Sequence, residues 1–284
     1  MRLVKKLKGN TEYYYLQHTF RGKKKVKFVE KYLGKEIPTN IKRIEEDFIK
    51  EIRKPIYEKL EKIKKSFKKE WNKYPISARE KELHEIAIAF TYNTNAIEGS
   101  TITQHEVREI TQDNVAPNKS LRDIRETESH YKIFLEMLKK KEKLSNKLLL
   151  EWHKHIFGET KKDISGKYRT YDVRVGSYIA VDWQDVKKMM DELIRFINNS
   201  KLNAVELSAR AHYRFEKIHP FGDGNGRIGR LILNHILWHK EYPMLIIEYK
   251  KRMTYYKALE KDEEGFVNYY LKRYLGVHKK RTNY

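Results

Sequence analysis

The chain has 284 residues and no cysteine, so a disulfide framework and a thiolate zinc site are both excluded. Cytoplasmic residence fits that absence. No apolar run approaches the roughly 18 residues of a membrane span. The basic start Met1-Arg-Leu-Val-Lys-Lys leads into a polar, aromatic segment, which does not read as a secretory signal. Internal repeats and low-complexity tracts are missing. Acidic residues are in deficit: 39 stand against 61 basic ones, a formal net charge of +22. Such charge favours phosphate backbones, so nucleic acid must be weighed as a partner. The basic residues are, however, spread along the chain without an arginine-rich tail, as on an ordinary lysine-rich surface.

What is present supports folding. Hydrophobic residues make up 39% and charged residues 35%, enough for one large domain or a catalytic domain with a small appendage. Residues 1–40 read as a β-rich appendage. Aromatic or aliphatic residues alternate with polar ones around Tyr13-Tyr-Tyr-Leu16 and Lys25-Val-Lys-Phe-Val29, and Arg21-Gly-Lys23 between them predicts a β-hairpin turn. Residues 41–76 form a charged helical segment, with Ile44, Phe48, Ile52, Ile56, Leu60, Ile63 and Phe67 on one stripe. Pro55 predicts a break or kink within it, and Pro75 its end.

The third region, 77–284, is dominated by helical periodicity over 78–97, 104–113, 121–142, 145–157, 183–199, 203–217, 227–240 and 252–274. One stretch differs. Gly166 to Gly176 and Ser177 to Val181 alternate like two short strands about a glycine. The fold class is therefore mainly α, a helical domain carrying one β-hairpin, with the small N-terminal β-hairpin as appendage.

Between two of these helices lies His219-Pro-Phe-Gly-Asp-Gly-Asn-Gly-Arg-Ile-Gly-Arg230. A helix must end before His219-Pro220. Alternate glycines at Gly222, Gly224 and Gly226 allow backbone N–H groups to converge as an anion nest. A helix begins where the nest ends, and its amides and dipole add attraction for phosphate. Arg227 and Arg230, three residues apart, offer two guanidinium forks near one side of its first turn. Asp223 inside so positive a loop calls for a cation, and Mg²⁺ shared with nucleotide phosphates supplies one. His219 is the neighbouring side chain able to act as a neutral base at pH 7. Gly224 to Gly229 matches GxGxxG, but a helix precedes it where a dinucleotide fold needs a strand. No Lys-Ser/Thr pair closes a Walker A loop, HExxH is absent, and His153 and His155 read as ordinary helix residues.

The string resembles the Fic signature HPFx(D/E)GNGRxxR at every fixed position, and the resemblance runs over roughly residues 85–275. It implies a Fic-fold helical bundle with a β-hairpin flap, and AMP transfer from ATP to a Ser, Thr or Tyr hydroxyl of a target protein or of the chain itself. Carried over, His219 takes the hydroxyl proton and Asp223 holds Mg²⁺. Amides of Gly224 to Gly226, with the Asn225 side chain, stabilise phosphate charge, and Arg227 and Arg230 orient the outer phosphates. Tyr255 and Tyr256 match positions beside the nucleoside. Glu263 departs from the asparagine that relatives often carry near adenine, which weakens the base preference. Thr170, Tyr171, Asp172, Val173, Arg174 and Val175 correspond to the flap that docks the target by strand addition. Thr94-Asn-Ala-Ile-Glu98-Gly99 matches the family's inhibitory pattern (S/T)xxxE(G/N), so the resemblance implies a Glu98–Arg230 pair that holds the enzyme off. Relatives also remove AMP, work in both directions, or move phosphate, phosphocholine or UMP. A homodimer and a basic, nucleic-acid-associated regulator stay open as alternatives. No helix-turn-helix follows the catalytic region, where only His278 to Tyr284 remains.

Overall fold

A computed structural model describes residues 1–21, 26–176 and 178–282 of the chain. Part of the turn expected at Arg21–Lys23, namely Gly22 and Lys23, lies outside the described residues, as do Ser177, Asn283 and Tyr284. The chain divides into two compact units, Met1–Lys59 and Leu60–Tyr284.

In the first unit, β1 (Arg2–Lys8), β2 (Thr11–Arg21) and β3 (Val26–Gly34) form an antiparallel sheet in that order. The expected hairpin is thus extended by a strand on its N-terminal side. Gly9 at φ 61° and Asn10 make the turn that pairs Lys8 with Thr11, a Gly-Asn signal that the alternation pattern overshadowed. Leu16 and Phe48 are buried in this unit. Helix α1 (Ile41–Lys73) runs unbroken through Pro55, where a break or kink was expected. Pro55 and Glu51 are both exposed, so water can take the carbonyl that the missing proline N–H leaves free.

The second unit is a bundle: α2 (Ile76–Ile97), α3 (Gln104–Arg108), α4 (Leu121–Lys139), α5 (Asn146–Phe157), α6 (Val186–Asn199), α7 (Ala204–Ile218), α8 (Asn225–His239), α9 (Arg252–Leu259) and α10 (Glu263–Val277). Short polar side chains start several of them. Ser120, Ser145 and Asn203 accept backbone N–H groups at 3.1, 3.2 and 2.9 Å, and Thr103 and Glu106 form a capping box. The apolar stripes meet in one core, where Phe157, Phe215, Phe221, Ile228, Leu231 and Ile232 are fully buried. Helix α7 packs along α8, with α6 and α10 against α7 and with α2 and α5 against α4.

Two expectations need correction. The pattern over 252–274 is two helices, because Asp262 accepts the Gly265 N–H at 2.7 Å and restarts the chain as an N-cap. The paired strands of the hairpin are only β4 (Arg174–Val175) and β5 (Tyr178–Ile179); residues 166–173 form an irregular approach. Among the described residues no helix is long and apolar enough to cross a membrane.

Candidate active site

Helix α7 ends at His219, whose backbone is left-handed at φ 51° and whose N–H still bonds the Phe215 carbonyl at 2.9 Å. The next residues turn inward because Phe221 is drawn into the core. Asn225 locks that turn: its Nδ2 donates to the Phe221 carbonyl at 2.8 Å and its Oδ1 accepts the Phe221 N–H at 2.9 Å. Both of its polar groups bond the loop, so the Asn225 side chain shapes the nest. Gly224 sits at φ 77° as the N-cap of α8. It is the one glycine of the three, Gly222, Gly224 and Gly226, with positive φ. At Gly226 the constraint is space, since a Cβ would lie 2.2 Å from Glu98 Oε1.

The loop is held from outside by the side chains of Arg169 and His153. Arg169, buried, donates to the carbonyls of His219 and Tyr171 at 2.8 Å each and also reaches Val181 and Ile218. His153 lies buried against Phe221, rings stacked at 4.0 Å. It faces the Asp223 carbonyl at 3.0 Å through Nε2 and the Gly166 N–H at 3.0 Å through Nδ1. A carbonyl only accepts, so Nε2 carries the proton. Burial holds this ring's pKa down at about 4. His153 therefore braces the loop, beyond the ordinary helix residue expected of it.

The two arginines diverge. Arg227 turns away to the buried carboxylate of Glu126 at 2.5 Å and lies over the Phe157 ring. Helical spacing fixes where the Cα atoms stand, and Glu126 decides where this guanidinium goes. Lys161 bridges Glu126 and Asp223, at 3.2 and 2.8 Å. Burial acts to raise the Asp223 pKa, but Lys161 and the Gly224 N–H outweigh it and hold the carboxyl below its ordinary value. Among the described residues no cluster of three or more His, Cys, Asp or Glu is placed to hold a metal. A single half-exposed carboxylate in a nest is nevertheless the donor set that Mg²⁺ uses when phosphates complete its shell.

Arg230 lines a cavity of about 440 Å³ together with Glu98, Glu216, His219, Gly226, Tyr255 and Tyr256 among others. Its Nη2 donates to Glu98 Oε1 at 2.6 Å and its Nε to Thr94 Oγ1 at 2.5 Å. Glu98 follows the last turn of α2, and Gly99 at φ 93° lets the chain leave there. Nδ1 of His219 is 3.3 Å from the Glu216 carbonyl, which can only accept, so the Nδ1 proton is fixed and Nε2 is left bare. Burial lowers the His219 pKa, keeping the ring neutral at pH 7. Glu216 is a second carboxyl in this cavity, found only in the structure; burial raises its pKa to about 7. Tyr255 is buried, with its hydroxyl 2.8 Å from His212 Nε2, whereas Tyr256 is partly exposed and bonds the Ile97 carbonyl at 3.0 Å.

Val175, Gly176 and Tyr178 of the hairpin line the same cavity. Thr170, Tyr171, Asp172 and Arg174 are exposed beside it, and Val173 accepts the Ala180 N–H at 3.1 Å. Glu263 lies elsewhere: it pairs with Arg210 at 2.6 Å and with Arg214 at 2.8 Å and faces a separate cavity. It does not border the space beside Tyr256. A neutral imidazole, a helix N-terminus aimed at anions and a half-exposed carboxylate, beside an exposed hairpin, suit group transfer from a phosphoanhydride.

Fold and loop thus define a helical domain with a hairpin-flanked cavity. Residues 143–237 match the Fic/DOC family, and the chain carries a Fic domain there. It is 30% identical over 223 residues to the protein adenylyltransferase fic-1 of Caenorhabditis elegans, covering 72% of this chain and 44% of that protein. It is also 30% identical over 189 residues to the protein adenylyltransferase Fic of Nematostella vectensis, covering 64% and 44%. The chain therefore spans less than half the length of these relatives. A solved structure of part of C. elegans Fic-1 superimposes with a TM-score of 0.69 at 25% identity, over 83% of this chain and 73% of that one. A Fic-domain signaling protein from Bacteroides thetaiotaomicron does so with a TM-score of 0.66 at 26% identity, over 81% and 97%.

Proposed function

We propose that this chain transfers AMP from ATP to a hydroxyl side chain of a target protein, and to itself, and that it rests in an inhibited state. The carrying observation is that neutral His219 faces the same cavity as Gly226 of the nest and Arg230, with the hairpin at its edge. In this reading bare Nε2 of His219 accepts the proton as the target oxygen bonds to the α-phosphorus, and pyrophosphate leaves with the electrons of the broken P–O bond. The nest amides of Gly224 to Gly226 hold phosphate oxygens, and Asn225 keeps them aligned. Arg227, tied to Glu126, stiffens the start of α8, while Arg230 is the guanidinium for the outer phosphates. Tyr256 offers the nucleoside a ring face, and the exposed Thr170–Val175 approach takes the target segment. Asp223 would hold Mg²⁺, which when bound neutralises phosphate charge.

The Glu98–Arg230 pair supports inhibition, because the arginine needed by the phosphates is already engaged. Glu98→Gly is expected to raise self-labelling from α-labelled ATP well above wild type, and adding His219→Ala to abolish it while nucleotide still binds. Equal, low labelling by wild type and the Glu98 variant overturns the inhibition. Transfer of γ-label instead marks a kinase. A second reading, removal of AMP, rests on the Glu98 carboxylate standing in the cavity with His219, where it can orient water. Loss of label from a pre-AMPylated target on adding wild type, but not the Glu98 variant, tests it.

A further inference from the structure

The N-terminal sheet has two faces of different character. One is turned to its own unit's core: Leu16 and Phe48 are buried, and Lys31 lies over the Phe48 ring at 5.8 Å and pairs with Glu51. Alternation places Arg2, Val4, Lys6, Tyr13, Tyr15, Phe28 and Tyr32 on the other. Contacts confirm the grouping. Tyr32 packs against Tyr13 and Tyr15 with ring centroids 6.1 and 5.3 Å apart, and Lys6 lies over Tyr15 at 5.0 Å.

This face stays open. Tyr32 is 55% and Phe28 58% exposed. Solvated aromatic rings on a sheet are costly for folding alone, and Tyr32 is set in position by its ring neighbours. Its one acidic side chain among the described residues, Glu30, is already neutralised by Lys6 at 2.6 Å and bonded by Gln17 at 2.7 Å. Over residues 1–36 the sequence carries eleven basic residues against three acidic. The field is positive, and the rings are unoccupied π surfaces.

We propose that this face binds single-stranded nucleic acid, with bases stacking on Tyr32 and Phe28 and phosphates following Arg2. Aromatic rings on a sheet accept any unstacked base, whereas bases in a duplex are already stacked. A negatively charged protein would satisfy the cations and leave the rings idle.

The test is fluorescence anisotropy of the full chain with labelled oligo-dT and oligo-rU, which separates DNA from RNA as the source of the strand. Binding is expected to weaken with salt, with a slope of about −0.7 per phosphate contacted. The double variant Phe28→Leu, Tyr32→Leu keeps exposed apolar side chains and should keep its circular dichroism spectrum. It is expected to lose affinity by about tenfold or more while retaining the salt slope, since stacking rather than charge has been removed. Absence of binding at low salt overturns the proposal. So does equal binding by the folded leucine variant, or equal competition by duplex or by polyglutamate.

Discussion

His219 sits in left-handed backbone, which a non-glycine residue adopts only where its surroundings impose it. Here its own N–H bond to Phe215 and the Arg169 contact to its carbonyl impose it. The ring is presented at the cavity as a consequence, and burial lowers its pKa. Self-labelling by the Glu98→Gly variant should therefore stay level through pH 7. It should fall only below the ordinary histidine value of about 6.5, where the imidazole protonates; a half-point above 6.5 would contradict a buried base. Thr94 is testable separately. Thr94→Val removes the acceptor of Arg230 Nε, leaving a buried donor unsatisfied. A loss of about 1–3 kcal/mol in stability is expected, measured by urea unfolding. Self-labelling should rise above wild type, though less than for Glu98→Gly.

At the scale of elements, most of what surrounds the loop was readable and most of what braces it was not. Glycine and proline placed the ends of α7 and α8, and the 94–99 pattern placed the end of α2 against Arg230. Arg169 gave no signal, because its partners are backbone carbonyls, which every residue possesses. His153 was hidden likewise, and Glu126 lies far from Arg227 in sequence. Asp262 was legible as a cap but sits within a continuous apolar pattern that outweighed it. Arg169→Lys keeps the charge but cannot reproduce a planar fork reaching several carbonyls. It is expected to cost several-fold in self-labelling and to lower the thermal midpoint. Wild-type values for both would show that the approach to the hairpin does not depend on that fork.

Across the whole molecule, charge responds to pH through its interior. His153 and His278 are held at about 4 and His212 and His235 at about 3, in each case chiefly by burial. Unfolded, these rings titrate near 6.5. Their contribution is full above that value and declines as pH falls towards 4, because the unfolded chain takes up protons that the folded one refuses. Glu216 runs the opposite way. Raised to about 7, it favours the fold below its unfolded value and loses that advantage as pH rises through 7. The histidines outnumber it, so the thermal midpoint at pH 5 should lie about 5 °C or more below that at pH 7.5. Equal midpoints would mean that these rings are not held neutral. None of this was visible in the sequence, which counts histidines but does not say which are sealed from water.

The Glu98–Arg230 pair is unequal in a way that governs how it can part. The arginine side chain is 3% exposed and the glutamate 32%. Arg230 is anchored along the buried side of α8 and has nowhere else to go, whereas Glu98 sits at a helix end followed by a glycine hinge. Opening is therefore a motion of the glutamate alone. Whatever draws the last turn of α2 outward, a docked partner or crowding by an incoming nucleotide, needs only to outcompete one exposed carboxylate. Under the inhibition proposed above, regulation and chemistry can therefore be tuned by separate substitutions.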